Sequence, residues 1–267
     1  SVLATRLALG GSLPEGTETK LGFTDSRWRI SGRRSYFDQV LKPAFDFPYH
    51  LTDLQGIFEG WTGGGHRFSV SGYKGRDVLN LTSLDPEDFP LRVDWDWGND
   101  LLGARWTHPR ADGGWWEMRA GYSRFTSGLA FPDFDDTDLR TGISQGTLEG
   151  DVELKPTPYL VVTSGAGLRR LSYDNLVETG GTVFADDGGR GTDLFGYLQG
   201  QWKPSLGWIV EVGLRGERWA PSRGDAILAL SPRVSAKRFL FGARWAVKGS
   251  VGRYTQYLHS IRDEELP

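Results

Sequence analysis

The stretch Trp115–Ser123, which reads WWEMRAGYS, decides the fold of this chain. Its apolar residues Trp116, Met118 and Tyr122 alternate with polar or small ones such as Glu117. Successive side chains of a β-strand point to opposite faces of the sheet. The stretch therefore predicts a strand with one apolar face and one polar face.

The same two-residue alternation returns further along the chain. It is present from Thr147 to Leu154 and again from Trp208 to Gly216. Alternating segments of about ten residues, flanked by aromatic residues, are typical of membrane-spanning β-barrels. A soluble β-sandwich also alternates, so this pattern predicts β-structure and leaves both architectures open.

The composition favours a barrel with a water-filled interior. Only 38% of the 267 residues are hydrophobic, yet the chain contains 37 glycines and 11 tryptophans. A barrel with a polar interior needs less apolar core, and its tryptophans lie at the two membrane interfaces. No stretch approaches the length of about 18 apolar residues that a transmembrane helix requires.

Charge and cysteine content exclude several classes of function. The net charge of −3 provides no basic surface, so we expect no nucleic-acid partner. The chain contains no cysteine, which excludes a disulfide framework, a zinc site with cysteine ligands and a thiol nucleophile.

The sequence predicts an all-β, antiparallel up-and-down transmembrane β-barrel with about twelve strands present. They are predicted near 2–10, 19–35, 48–61, 66–79, 91–107, 115–126, 138–155, 158–174, 191–203, 207–219, 226–238 and 244–257. We expect helix only as one turn at Asp38 to Leu41. No low-complexity linker interrupts the chain, so residues 1–267 are interpreted as a single domain.

The connections between these strands are predicted to alternate in length. Short connections around Gly63, Pro109, Pro156 and Pro204 interleave with long polar ones. The long ones are predicted at 79–90, 126–138 and 174–191. Outer-membrane barrels have short turns at one end and long loops at the other, so this alternation favours a meander barrel.

Candidate chemical motifs all have simpler structural interpretations. Gly142–Gly146 matches the G-x-S-x-G elbow of hydrolases, but strand-like residues follow it where a helix is required. The four histidines form no metal-binding pair. The acidic cluster of Asp133, Asp135, Asp136 and Asp138 lacks the remainder of a calcium loop. We therefore predict no enzyme activity, no metal site and no cofactor.

Charged residues within the predicted strands are interpreted by their alternation. Glu149, Asp151 and Glu153 share one face, which we interpret as a hydrated wall of the barrel interior. In the pairs Arg33-Arg34 and Arg169-Arg170, one arginine is expected to face the interior and the other to lie near an interface.

Five segments resemble the barrel of TonB-dependent outer-membrane receptors. Ser26–Asp38 (SRWRISGRRSYFD) is similar to a segment early in that barrel, and Asp46–Gln55 and His66–Asp77 resemble the strands that follow. Leu230–Ser235 and Trp245–Gln256 resemble a later pair of strands. The motifs are short and mostly structural, but they occur in order along the whole chain.

The resemblance implies an architecture and a cellular location. Such receptors have a 22-stranded barrel in the bacterial outer membrane, closed by an N-terminal plug domain. Residues 1–267 would then be a fragment, roughly the first half of the barrel, without the plug. Implied partners are outer-membrane lipid, a small-molecule or oligomeric ligand, and the TonB complex, which would act through a plug outside this chain.

The resemblance also implies a function, namely the binding and energy-driven import of a scarce solute such as a siderophore, cobalamin, glycan or peptide. The long loops would gather this substrate, and their expected contact residues are Phe89, Phe131, Phe134 and Asp135. The alternatives are a self-contained twelve-stranded pore or barrel enzyme, and a soluble carbohydrate-binding β-protein.

Overall fold

The computed structural model describes residues 3–42, 47–85, 90–242 and 244–256. These residues form twelve strands in one sheet. The strands are β1 Ala4–Gly11, β2 Asp25–Ser35, β3 Tyr49–Trp61, β4 Arg67–Asn80, β5 Asp94–Pro109, β6 Trp115–Phe131, β7 Thr137–Thr157, β8 Leu160–Thr179, β9 Thr182–Ser205, β10 Trp208–Pro221, β11 Ile227–Leu240 and β12 Trp245–Gly252. Two helices, α1 Glu15–Leu21 and α2 Phe37–Val40, and a 3-10 turn at Leu81–Ser83 complete the described elements.

The sheet is an antiparallel meander, because each strand pairs with the next one along the chain. The longest ladders join β7 to β8 and β8 to β9, and both extend well beyond the length needed to cross a bilayer. Within the described residues β1 does not pair with β12, so the sheet is open at both edges. The prediction of an all-β antiparallel meander of about twelve strands is confirmed.

The two faces of the sheet differ in chemistry and in exposure. One face, called the outer face, carries exposed apolar residues such as Met118, Leu148 and Leu194. The other face, called the inner face, carries the residues that lie between these along each strand. Among them Glu117 and Asp193 are buried. The inner face is therefore the more crowded of the two.

Aromatic side chains form a belt on the outer face near the end of the sheet that has the short turns. The belt consists of Trp28, Phe58, Phe68, Trp106, Trp116, Trp202, Trp208 and Trp245. Towards the other end, charged outer-face residues begin at Arg124 on β6 and Arg218 on β10. At about 3.4 Å per residue and a strand tilt of about 40°, the intervening band is about 20–26 Å tall. That height matches the apolar band of a membrane barrel.

Two of the predicted long loops are wrong. The segment 126–138 is mostly strand, since β6 continues to Phe131 and β7 begins at Thr137. The segment 174–191 is also strand, apart from Gly180 and Gly181, whose positive φ angles of 57° and 72° form a tight turn. The polar residues that suggested loops lie in ladders that extend beyond the apolar band, where both faces meet water.

Two further local predictions can be compared with the structure. The strand predicted at 19–35 begins only at Asp25, because α1 occupies Glu15–Leu21 and ends at Gly22, whose φ of 79° is left-handed. Seven residues are too few to produce a helical period in the sequence. The single helical turn expected near Asp38 is confirmed as α2. Neither helix in the described ranges is long and apolar enough to cross a membrane.

The G-x-S-x-G stretch lies inside a strand. Gly142–Gly146 pairs with β6 on one side and with β8 on the other, so the chain makes no turn there. A nucleophile elbow requires a sharp turn from a strand into a helix. The structural interpretation of this motif is therefore confirmed.

Candidate functional site

Three of the four predicted contact residues lie at the tip of the β6–β7 hairpin. The rings of Phe131 and Phe134 pack edge to face with centroids 6.0 Å apart. Asp135 occupies the turn with a φ of 54°, and its carbonyl oxygen accepts a hydrogen bond from the amide of Gly180 in the neighbouring turn. Phe89 lies outside the described residues. The structure thus brings three of the four residues together, at a hairpin tip rather than in a long loop.

Two of the acidic residues around this tip have arginine partners. Asp133 accepts a hydrogen bond from the backbone amide of Arg92, and its other oxygen lies 3.8 Å from that guanidinium. Asp138 pairs with Arg140 at 2.6 Å. Within the described ranges no group of three metal-ligating side chains occurs.

An aromatic cluster lies on the inner face towards the same end of the sheet. Trp95 and Trp97 on β5 have ring centroids 4.4 Å apart, and Trp97 stacks on Tyr49 of β3 at 6.3 Å. Phe37 and Phe47 contact Tyr49 at 5.8 and 6.0 Å. The cluster presents broad apolar surfaces beside polar groups, an arrangement suited to binding a ligand with rings or apolar arms.

Polar residues fix the orientation of these aromatic rings. The Tyr49 hydroxyl donates a hydrogen bond of 2.6 Å to Asp77 Oδ1. Trp95 Nε1 donates one of 3.0 Å to the Ser127 hydroxyl. This cluster was not predicted from the sequence, although the stretch Asp94-Trp95-Asp96-Trp97 places both tryptophans on one face.

A network of ion pairs crosses the middle of the inner face. Arg119 on β6 lies 2.6 Å from Asp151 and 3.0 Å from Glu149, both on β7. Arg105 on β5 bonds Glu117 through Nε at 2.7 Å and also through Nη2. Glu117 and Asp151 are buried, so their neighbouring guanidiniums compensate charges that have lost most of their water. The prediction that Glu149, Asp151 and Glu153 share one face is confirmed, but Asp151 is buried among ion pairs rather than hydrated.

The network continues across β8, β9 and β10 around the ring of Phe195. The guanidinium carbons of Arg169 and Arg215 lie 4.8 and 4.0 Å from the ring centroid. Arg169 also approaches Asp193 at 3.6 Å, and Arg215 pairs with Glu217 at 2.8 Å. Arg169 thus faces inward, as expected for one member of its arginine pair.

Glycines make room for this inner-face network. A Cβ at Gly165 would lie 2.1 Å from Asp151 Oδ1 and 2.6 Å from the ring of Tyr197. A Cβ at Gly167 would lie 2.5 Å from the Phe195 ring. These two glycines therefore allow aromatic and charged side chains to pack closely against the backbone of the wall.

Comparisons with known proteins identify the fold. No protein-family model matches this sequence, and no curated protein matches it. Among solved structures, the ferripyoverdine receptor of the Pseudomonas aeruginosa outer membrane is 12% identical, with a TM-score of 0.67 over 92% of this chain. The siderophore receptor PirA of P. aeruginosa is 14% identical, with a TM-score of 0.66 over 93%. The ferric yersiniabactin uptake receptor FyuA of Yersinia pestis is 10% identical, with a TM-score of 0.64 over 93%.

These matches cover only part of the known receptors. The chain spans 40% of the ferripyoverdine receptor, 38% of PirA and 45% of FyuA. The structural neighbours are outer-membrane siderophore receptors of the TonB-dependent class, so the resemblance seen in the sequence is confirmed at the level of the fold. The twelve-stranded sheet has the architecture of a segment of their barrels.

Proposed function

We propose that this chain forms part of the barrel wall of a TonB-dependent receptor in the bacterial outer membrane. This receptor imports a ferric siderophore. The observation that carries the proposal is the two-faced sheet, which matches siderophore receptors over about nine-tenths of the chain. The apolar outer face then contacts lipid, and the charged inner face lines the lumen. The end with the extended hairpins faces the medium, because outer-membrane barrels carry their longer connections on that side.

Two parts of the inner face support a role in ligand binding. The cluster of Tyr49, Trp95 and Trp97 offers ring surfaces, and the hairpin tip with Phe131, Phe134 and Asp135 lies at the same end of the sheet. Phe89 remains a predicted contact. Iron chelates present aromatic or hydroxamate groups, for which stacked rings and arginines are suitable partners.

A self-contained twelve-stranded pore is the alternative architecture. Such a pore would need β1 and β12 to pair with each other, because open strand edges are not stable in lipid. In the described part of the chain these strands pair only with β2 and β11. A larger barrel supplies partners for both edges, and this favours the receptor.

Uptake of a radiolabelled ferric siderophore by iron-starved cells tests the proposal. We expect a panel of ferric siderophores to include one that the cells import only with this protein present and the proton-motive force intact. Trp97→Ala should weaken binding of that compound at least tenfold, whereas Trp202→Ala on the outer face should leave it unchanged. Passive uptake in the presence of an uncoupler would contradict energy-driven import and favour the pore.

A further inference from the structure

A shallow cavity of about 860 Å³ lies on the outer face of β7–β10. Its floor consists of Gly150, Ala166, Gly196 and Gly216, which are successive ladder partners across the four strands. A Cβ at Gly150 would meet no atom within 4 Å, so the space above the floor is open there. The small residues thus form a groove that runs across the strands.

Leucines form the side of this groove that faces the extended hairpins. Leu148, Leu168 and Leu194 are ladder partners in the next outer-face row, and all three are exposed. Met118 and Leu230 close the two ends. The groove is therefore apolar along its length, and this lining suits a hydrocarbon chain better than a polar ligand.

Arginines lie immediately beyond the leucines. Arg218 continues the leucine row on β10, opposite Leu194. Arg170 follows Leu168 by two residues, and Arg190 lies diagonally across from Arg170, at about 7–8 Å between Cα atoms. All three are exposed on the outer face, and their side chains form no hydrogen bond or ion pair with the described residues.

Two outer-face cations on β4 at this height of the sheet have acidic partners, unlike the arginine trio. Lys74 pairs with Asp100 at 3.4 Å, and Arg76 pairs with Asp96 at 3.3 Å. By register, Asp174 is an outer-face carboxylate diagonal to Arg190. Asp174 instead lies over β7, where a Cβ at Gly142 would be 2.6 Å from its Oδ2. The positive charge of the trio is thus uncompensated.

We propose that this surface binds one phosphorylated membrane lipid, with its phosphate among Arg170, Arg190 and Arg218 and an acyl chain in the groove. Guanidinium groups bind phosphate oxygens through paired hydrogen bonds. Thr192, the direct ladder partner of Arg170, places a hydroxyl on the same face. The inference depends on the proposed function only in that the outer face contacts lipid.

The adjacency of charge and groove identifies a lipid rather than a free anion. Inorganic phosphate could use the arginines, but it would leave the groove empty. An uncharged lipid could use the groove, but it would leave three guanidiniums to repel one another at the edge of the bilayer, where screening by water is reduced. A phosphorylated lipid satisfies both parts of the surface at once.

Lipid titration of the full-length protein in detergent tests this site. The probe is a fluorescent, bis-phosphorylated acyl-glucosamine disaccharide lipid, compared with its dephosphorylated form and with inorganic phosphate. We expect R170Q/R190Q/R218Q to weaken binding of the phosphorylated lipid at least tenfold, and Ala166→Leu to weaken it at least threefold. The control R34Q/K74Q, which removes outer-face cations that have acidic partners, should bind as the unaltered protein does.

Three results would overturn the proposal. These are equal binding of the dephosphorylated lipid, full displacement of the lipid by an equal concentration of phosphate, and unchanged binding by the triple variant. Heat-modifiable gel mobility verifies that each variant is folded. If the triple variant does not fold, the three single glutamine variants are measured, and each should weaken binding at least threefold. Siderophore uptake is measured in parallel, so that loss of the lipid site is distinguishable from failure of the receptor function.

Discussion

At the scale of single residues, Arg119 is the centre of the inner-face network. Its guanidinium contacts Glu117, Glu149 and Asp151 on two strands. Glu117 and Asp151 are buried, so removing the cation leaves carboxylates without compensation. The Arg119 side chain is 48% exposed, so water screens its charge. This screening limits the loss of stability when the cation is removed.

Arg119→Met should therefore lower the free energy of unfolding by about 1–2 kcal/mol. Urea unfolding in detergent, followed by tryptophan fluorescence, measures the change. Arg140→Met is the matched control, because Arg140 is exposed and, among the described residues, pairs only with Asp138 near the hairpin end of β7. Equal stability losses in the two variants would contradict a special role for the central network.

A second residue-scale prediction concerns Asp112 in the turn between β5 and β6. A hydrogen bond from the backbone amide of Gly114 lowers the pKa of Asp112 below its ordinary value of 3.8, and the side chain of Arg110 and the amide of Lys155 add to the effect. A carboxyl whose pKa is lower in the folded state stabilises the fold above its unfolded pKa. That contribution is lost as the pH falls through the lower folded pKa.

The Asp112 carboxyl carbon should consequently titrate below pH 3.8 in a carbon NMR experiment on the folded protein. The Gly114 amide donates a hydrogen bond of 3.1 Å to Asp112 Oδ1, so the chemical shift of this amide proton should change in the same pH range. A midpoint at or above the ordinary value would show that the turn does not favour the ionised form.

At the scale of elements, the β6–β7 hairpin has a long ladder that stabilises the fold and a tip that carries the proposed ligand contacts. Its ladder runs without a break from Trp115 paired with Glu153 to Phe131 paired with Thr137. The tip at residues 132–136 adds few backbone bonds to this ladder, but it carries Phe134 and Asp135.

Replacing residues 132–136 by a short Gly-Ser turn should abolish siderophore binding while the sheet still assembles. Binding is measured by quenching of tryptophan fluorescence, and assembly by heat-modifiable gel mobility. An equivalent exchange of the Ser222–Asp225 turn between β10 and β11 provides the control. Retained affinity after the first exchange would remove the tip from the proposed site.

At the scale of the whole molecule, the alternation of residues predicted most of the fold. Strands such as β3, β4 and β10 were located within two residues, because each has one face in an apolar band and the other in a polar one. The strand extensions near Phe131 and Thr179 were not predicted, because beyond the band both faces meet water and the alternation ends. The aromatic cluster was missed because it joins β3 to β5, and such a contact depends on the register of a strand between them.

The central claim is that one face of this sheet meets lipid and the other meets water. The chain has no cysteine, so single cysteines at 147–150 on β7 can each be labelled in the intact outer membrane. Positions 148 and 150 should react only with a lipid-soluble maleimide, and positions 147 and 149 with a water-soluble one small enough to enter the lumen. Reaction of all four positions with the water-soluble reagent, without a period of two, would contradict the account.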